Sequence, residues 1–233
     1  MLNNMYFNNK DLYRDFNCFV EGGIEYPLVT EEIEDIQVPN NPLGTLTRRT
    51  GNYSDLELSL KIRIVDMYNW KEKLRYIKKW FTNIEDNRLY FEYNLQKCLR
   101  VKRVIVDRPA KFNNSYVSVP VKFICQPFYF NVNESFIDIY NNEIINSDTD
   151  IECNPLIMLK ANGNTQITIN DTVLQFNYSG DVIIDSIRNI AYDDNKRNIV
   201  TKGQFPRIKE GDNRIILEGV SKISLNERAC YFD

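Results

Sequence analysis

The sequence predicts a mainly β chain of two β-sandwich or barrel domains, the first carrying one α-helix. Three observations predict it. Residues 56–64 and 117–125 alternate apolar and polar side chains with the period of a strand. Residues 68–82 switch to the 3.6-residue period of a helix. From residue 154 to residue 217, Gly, Asn, Asp and Pro turn signals recur about every ten residues between short runs, as in an all-β sandwich.

The first 47 residues hold Pro27, Pro39 and Pro42 and show no clear period. They are expected to be irregular, an extended arm or an open hairpin. The next strand is the clearest in the chain. Leu56, Leu58, Leu60, Ile62 and Ile64 point one way, and Glu57, Ser59, Lys61 and Arg63 the other. In the helix, Trp70, Leu74, Ile77 and Phe81 form one apolar stripe, and Lys71, Lys73, Arg75, Lys78 and Lys79 cover much of the rest. A basic amphipathic helix suits a membrane surface. Between two strands, core packing with a solvated basic face is the better reading.

Strands are expected over 89–93 and 99–106. In 117–125, Val117, Val119, Val121, Phe123 and Cys125 face inward, and Pro120 on the outer face argues for an edge or a bulge because it lacks an N–H. The module ends at the aromatic run Gln126-Pro127-Phe128-Tyr129-Phe130, after which the chain is polar and Asn-rich. The boundary is therefore placed near residue 130, giving domains 1–130 and 131–233. Strands of the second domain are read at 166–169, 173–176, 182–185, 197–200 and 214–217. Turns are read at Asn154-Pro155, Asn162-Gly163, Asn170-Asp171, Gly180-Asp181, Asp193-Asp194-Asn195, Gly203–Pro206 and Gly211–Asn213.

Composition narrows function mainly by exclusion. The chain has 233 residues, 43% hydrophobic and 26% charged, enough for sizeable cores. It lacks a run of the roughly 18–20 apolar residues that span a membrane. Its N-terminus does not predict export by a signal peptide. Histidine is absent, which removes the usual general base, the Ser–His and Cys–His nucleophile pairs and most zinc designs. The five cysteines, at 18, 98, 125, 153 and 230, form no C-x-x-C pair, so free buried thiols are expected. No catalytic, cofactor-binding or metal-binding residue is assigned.

Charge is arranged acidic–basic–acidic. Residues 1–47 carry 2 Lys/Arg against 8 Asp/Glu, residues 48–130 carry 17 against 8, and residues 131–233 carry 10 against 16. With an acidic total and no recognised motif, nucleic-acid binding is a poor reading. A charge-complementary contact between copies, or a solvated mixed surface, fits better.

Asp181 and Asp185 share a strand face, but four strand residues separate them by roughly 13 Å, too far for a glycosidase pair within one strand. Asp193-Asp194-Asn195 lacks the remaining ligands of a calcium loop and reads as a hairpin turn. Tyr178, Tyr192, Phe205 and Tyr231 are the aromatics available to a carbohydrate-binding module, an alternative to their reading as core or turn residues. A glycosidase built on Asp181 is the third and weakest reading.

Several pieces in order resemble the distal tail protein (Dit) family of long-tailed bacteriophages. They are Cys125–Phe130 closing the first domain, Asn154-Pro155-Leu156-Ile157, Ile167-Thr168-Ile169-Asn170, Ile183-Ile184-Asp185, Gly203-Gln204-Phe205-Pro206 and Gly211-Asp212-Asn213. The first domain matches more loosely. Where many members carry a glycine–arginine–aspartate–glycine turn, this chain reads Val38-Pro39-Asn40-Asn41-Pro42-Leu43-Gly44, with Arg48-Arg49-Thr50-Gly51 later.

The resemblance implies a homohexameric ring at the virion tail tip. A tail-tube-like first domain would close around the DNA channel, with a galectin- or carbohydrate-module-like sandwich outside. Implied partners are the tail tube protein, the tape measure protein, the tail-associated hub or lysin protein, and a receptor-binding protein. The chain would be a non-catalytic structural component with no cofactor and no membrane contact. Arg48 and Arg49 are the candidate inter-protomer contacts.

Overall fold

The computed structural model describes residues 3–39, 42, 44–112 and 115–232. It forms two compact units, one of Met1–Val132 with Phe232–Asp233 and one of Asn133–Tyr231. The expectation of a mainly β chain with one substantial helix holds.

In the first unit the strands are β1 (Met5–Phe7), β2 (Lys10–Asp11), β3 (Cys18–Val20), β4 (Glu31–Ile36), β5 (Leu46–Tyr53), β6 (Leu56–Ile64), β7 (Arg88–Phe91), β8 (Asn94–Val106), β9 (Ala110–Phe112) and β10 (Tyr116–Asn131). The helices are α1 (Leu12–Phe16) and α2 (Trp70–Thr82). The main sheet runs β2-β1-β7-β8-β10-β6-β3, with β9 pairing β10, while β4 and β5 pair only with each other. Strand β6 keeps the alternation read from sequence, its five apolar residues buried. They pair antiparallel with β10, Leu60 opposite Val121 and Leu58 opposite Phe123.

Pro120 departs from expectation, because β10 is an interior strand between β6 and β8. Lys61, opposite Pro120, accepts from Glu21 on its other side, so Pro120 faces away from β6. There β8 has ended at Val106, and Asp107 donates to the Pro120 carbonyl at 2.9 Å. A residue without an N–H sits at a break in the ladder.

Helix α2 packs Leu74, Ile77, Trp80 and Phe81 into the core. Trp70, the expected start of the stripe, is only half-buried, and Trp80 takes the deep position, its indole N–H donating to the Phe7 carbonyl at 3.0 Å. The rings of Phe7, Phe81 and Phe123 meet at 5.5–5.9 Å between centroids. Each such burial contributes about 1.5–3 kcal/mol.

The N-terminal segment is more ordered than its sequence suggests. β1 lies inside the main sheet, between β2 and β7. The Asp11 carboxylate caps α1 by accepting from the Arg14 N–H at 2.8 Å, and Asn17 ends it in the left-handed region. Asn8, also left-handed, donates to the carbonyls of Trp80 and Asn83 and accepts from the N–H groups of Glu85 and Asp86. One buried amide thus closes the C-terminal end of α2.

The second unit holds β11 (Ile137–Tyr140), β12 (Glu143–Ser147), β13 (Leu156–Ile169), β14 (Thr172–Asp185), β15 (Ile190–Asp193), β16 (Asn198–Ile199), β17 (Thr201–Gly203), β18 (Gly211–Glu218) and β19 (Lys222–Asn226). Its path runs β11-β19-β13-β14-β15-β16, with β18 joining β12 and β13 and β17 joining β14. The core is aliphatic, Ile157, Ile167, Leu174, Ile184, Ile215 and Ile223 among its fully buried members.

Three expected turns are absent: Gly211–Asn213 opens strand β18, paired with β12, and at the other two the short strands on either side merge. Asn162-Gly163 and Gly180-Asp181 lie inside the 14-residue strands β13 and β14, paired Asn162 to Ser179 and Ala161 to Gly180. The two-residue turn is Asn170-Asp171, with Asn170 at φ 51°. The Asn-rich stretch after residue 131 also yields two strands, β11 and β12.

Candidate assembly surface

The β4–β5 hairpin is exposed along nearly the whole length of both its strands. An isolated two-stranded hairpin is marginal in water. Ile33 stands opposite Arg49 and Asp35 opposite Thr47, while the other face pairs Glu34 with Arg48 and Ile36 with Leu46. Both faces therefore mix apolar and charged side chains, and Ile33 and Leu46 remain 59% and 56% exposed. The base is anchored. Ser54 donates to the Thr30 carbonyl at 3.0 Å, the Tyr129 hydroxyl to the Pro27 carbonyl at 3.2 Å, and the Tyr53 ring meets Phe128 edge-on at 4.9 Å. Apolar side chains on both faces of a free ribbon suit a surface that a partner covers.

Arg48 and Arg49 both lie on this ribbon. Arg49 reaches Glu31 at 3.7 Å while staying 80% exposed, a weakly coupled surface pair. Arg48 stands in register with Glu34. Part of each positive charge is thus matched within the chain. In the Val38–Gly44 segment, Asn40, Asn41 and Leu43 lie outside the described residues.

The exposed face of α2 carries Lys71, Arg75, Lys78 and Lys79, which form no ion pair among the described residues. No helix is long and apolar enough to cross a membrane among the described residues.

A polar knot ties β6 and β10 to Glu21, the residue that follows β3. The Glu21 carboxylate accepts from Arg63 at 3.0 Å, the Tyr116 hydroxyl at 3.2 Å and Ser118 at 2.7 Å. The Arg63 guanidinium also lies 4.0 Å from the Tyr116 ring centroid. Burial works against this carboxylate, but the hydrogen bonds from Ser118, Arg63 and Tyr116 outweigh it and hold its pKa below the usual value.

The residues weighed for chemistry have structural partners. Asp185 is buried and paired with Arg228 at 2.7 Å, whereas Asp181 is exposed. Asp193 accepts from the N–H groups of Asn195 and Arg197, the turn geometry expected there. Among the described residues no three Cys, Asp or Glu side chains gather as metal ligands.

The four aromatics do not form a free platform. Tyr178 donates to Asp193, Tyr231 is buried and donates to Asp148, Phe205 packs on the core, and Tyr192 is half-buried. None of the five cysteines is in a disulfide. Burial pushes Cys125 and Cys153 up to about 12 and Cys18 and Cys98 up to about 11, the acidity of inert structural thiols.

Two sequence motifs prove to be scaffold. Gly203 sits at φ 102°, and a Cβ there would lie 2.1 Å from the Val173 carbonyl oxygen. Asn213 is fully buried; its amide donates to the carbonyls of Lys209 and Gly211, and its oxygen accepts from Lys209 N–H and Asn170.

No protein-family model and no curated protein matches the sequence. The structure is similar to the crystal structure of the SPP1 Dit (gp 19.1) protein, described as a paradigm of the hub adsorption apparatus in phages infecting Gram-positive bacteria. The TM-score is 0.74 at 14% identity, over 97% of this chain and 99% of that one. The chain has the Dit fold. The likeness runs through both compact units, so the Dit fold accounts for the hairpin-bearing unit and the second β unit alike. At 14% identity the agreement lies in the backbone, and the backbone close approach at Gly203 and the buried amide of Asn213 show how this sequence supports it.

Proposed function

We propose that this chain is a non-catalytic structural component of a bacteriophage tail tip. Six copies close a ring that joins the tail tube to the baseplate or tail-tip hub and the receptor-binding apparatus. The observation that carries the reading is the Dit fold extending over 97% of the chain. In support, the β4–β5 hairpin offers mixed apolar and charged faces suited to a heterologous contact, in which a patch on one copy meets a different patch on the next. Arg48 and Arg49 are the proposed inter-protomer residues on that ribbon.

The partners proposed are the tail tube protein, the tape measure protein, the tail-associated hub or lysin protein and a receptor-binding protein. DNA passes through the ring without sequence-specific contact. Negative-stain microscopy of the purified chain, alone and with the tail tube protein, tests this. Six-fold rings with a central opening are expected; compact particles without a channel under both conditions would count against the reading.

A further inference from the structure

The second unit contains a built cleft whose floor is a single cross-strand row. Lys202 on β17 stands opposite Gln175 on β14, Gln175 opposite Gln166 on β13, and Gln166 opposite Glu218 on β18. The four side chains share one face of four adjacent strands and span about 14 Å at the usual strand spacing. A cleft of about 360 Å³ opens over them, with Asn164 and Val200 also in its lining.

The row is connected. Gln175 Nε2 donates to Gln166 Oε1, and Gln166 Nε2 donates to Glu218 Oε1 at 3.2 Å. The Glu218 end fixes the direction of the chain, leaving the Gln175 carbonyl oxygen open as an acceptor. Lys202 at the other end forms no ion pair among the described residues. Val200, at the junction of β16 and β17, is 91% exposed, the highest value among the aliphatic side chains of this unit.

Two close approaches hold the cleft in shape. Gly219, just after β18, lets the backbone pass so near Asn164 that a Cβ would lie 2.0 Å from its carbonyl oxygen. Gly203, ending β17, does the same at 2.1 Å from the Val173 oxygen. Both flanking strands are thereby pinned to the central hairpin.

We propose that the Lys202–Gln175–Gln166–Glu218 row binds a neutral, hydroxyl-rich ligand of the saccharide class. Vicinal hydroxyls both donate and accept, and so match a row that alternates open donors and acceptors. An apolar ligand would take water from the open Gln175 carbonyl oxygen and the Lys202 ammonium without replacing its hydrogen bonds. An anion would meet the Glu218 carboxylate, and a cation the Lys202 ammonium. Val200 supplies an apolar wall for the C–H face of a sugar ring. The site is separate from Tyr178, Tyr192, Phe205 and Tyr231 and does not depend on ring assembly.

Saturation-transfer NMR on the full chain tests this, with glucose, galactose, N-acetylglucosamine and maltotriose as probes and glycerol 3-phosphate as the anionic comparison. Saturable transfer to at least one neutral sugar is expected. Gln175→Ala or Glu218→Ala, both on exposed side chains, should weaken it by about tenfold, the loss of one good hydrogen bond. Ile187→Ala, beyond the far end of β14, should leave it unchanged, and unaltered melting curves would show that the variants fold. The proposal is overturned by no transfer to any neutral sugar, by transfer that survives both row variants, or by transfer to glycerol 3-phosphate alone.

Discussion

The Tyr178 hydroxyl donates to the Asp193 carboxylate at 3.2 Å, binding the middle of β14 to the turn after β15. Asp193 also accepts from Asn195 and Arg197, so one carboxylate gathers a side chain and two backbone N–H groups. The hydrogen bond from the Arg197 backbone leads in holding its pKa below the usual value. Replacing Asp193 with Ala should lower the urea midpoint, whereas Asp194→Ala next to it should leave the midpoint in place. Equal effects would show that the turn does not depend on Asp193.

Gly203 and Gly163 separate backbone conformation from crowding. Both have positive φ, but a Cβ at Gly163 would meet nothing within 4 Å, while one at Gly203 would collide with the Val173 carbonyl oxygen. Gly163→Ala should cost about 1 kcal/mol and Gly203→Ala distinctly more, about 3 kcal/mol or above. Equilibrium denaturation of the two variants gives the order directly.

The Glu21 knot predicts acid sensitivity with a definite sign. Its folded pKa lies below the unfolded value, so its contribution is complete above the unfolded pKa and fades as pH falls through the folded one. The affected window lies below about pH 4.3. Glu21→Gln should lower stability at neutral pH and flatten the fall below that point. A variant that follows the wild-type curve in acid would contradict the assignment.

Thiol chemistry offers a test of the core. Cys18, Cys98, Cys125 and Cys153 are buried with raised pKa values, and Cys230 is half-buried. With a disulfide reagent at pH 8, only Cys230 should react promptly in the native chain, and all five in denaturant. Fast labelling of a second native thiol would show an open core.

The legible parts of the fold are those where one physical signal acts alone. The alternation of Leu56–Ile64 survives intact because one face is buried and the other wet. The helix was legible from its stripe, but Trp80 was not, because its depth depends on the distant Phe7 carbonyl. Asn162-Gly163 and Gly180-Asp181 read as turns because Gly and Asn favour them locally. Cross-strand pairing overrides that preference, and Tyr178, opposite Gly163, also shields Gly180. Asn8 and Asn17 hid the order of the N-terminal segment, since a left-handed asparagine, even one whose amide is buried as in Asn8, looks in sequence like any loop asparagine. The first 47 residues read as either an extended arm or an open hairpin; the pairing of Glu31–Ile36 with Leu46–Tyr53, which carries Arg48 and Arg49, and its register against the acidic strand were not legible.

The ring is tested most directly by the mass of the assembled particle. Light scattering coupled to size exclusion, at low and moderate salt and with the tail tube protein present, should give six chains of 27.5 kDa, about 165 kDa, plus any bound partner. Reversing charge at Arg48 and Arg49 should reduce that mass at low salt. A 27.5 kDa monomer at every concentration and salt, with the tube protein as well as without it, would contradict the account.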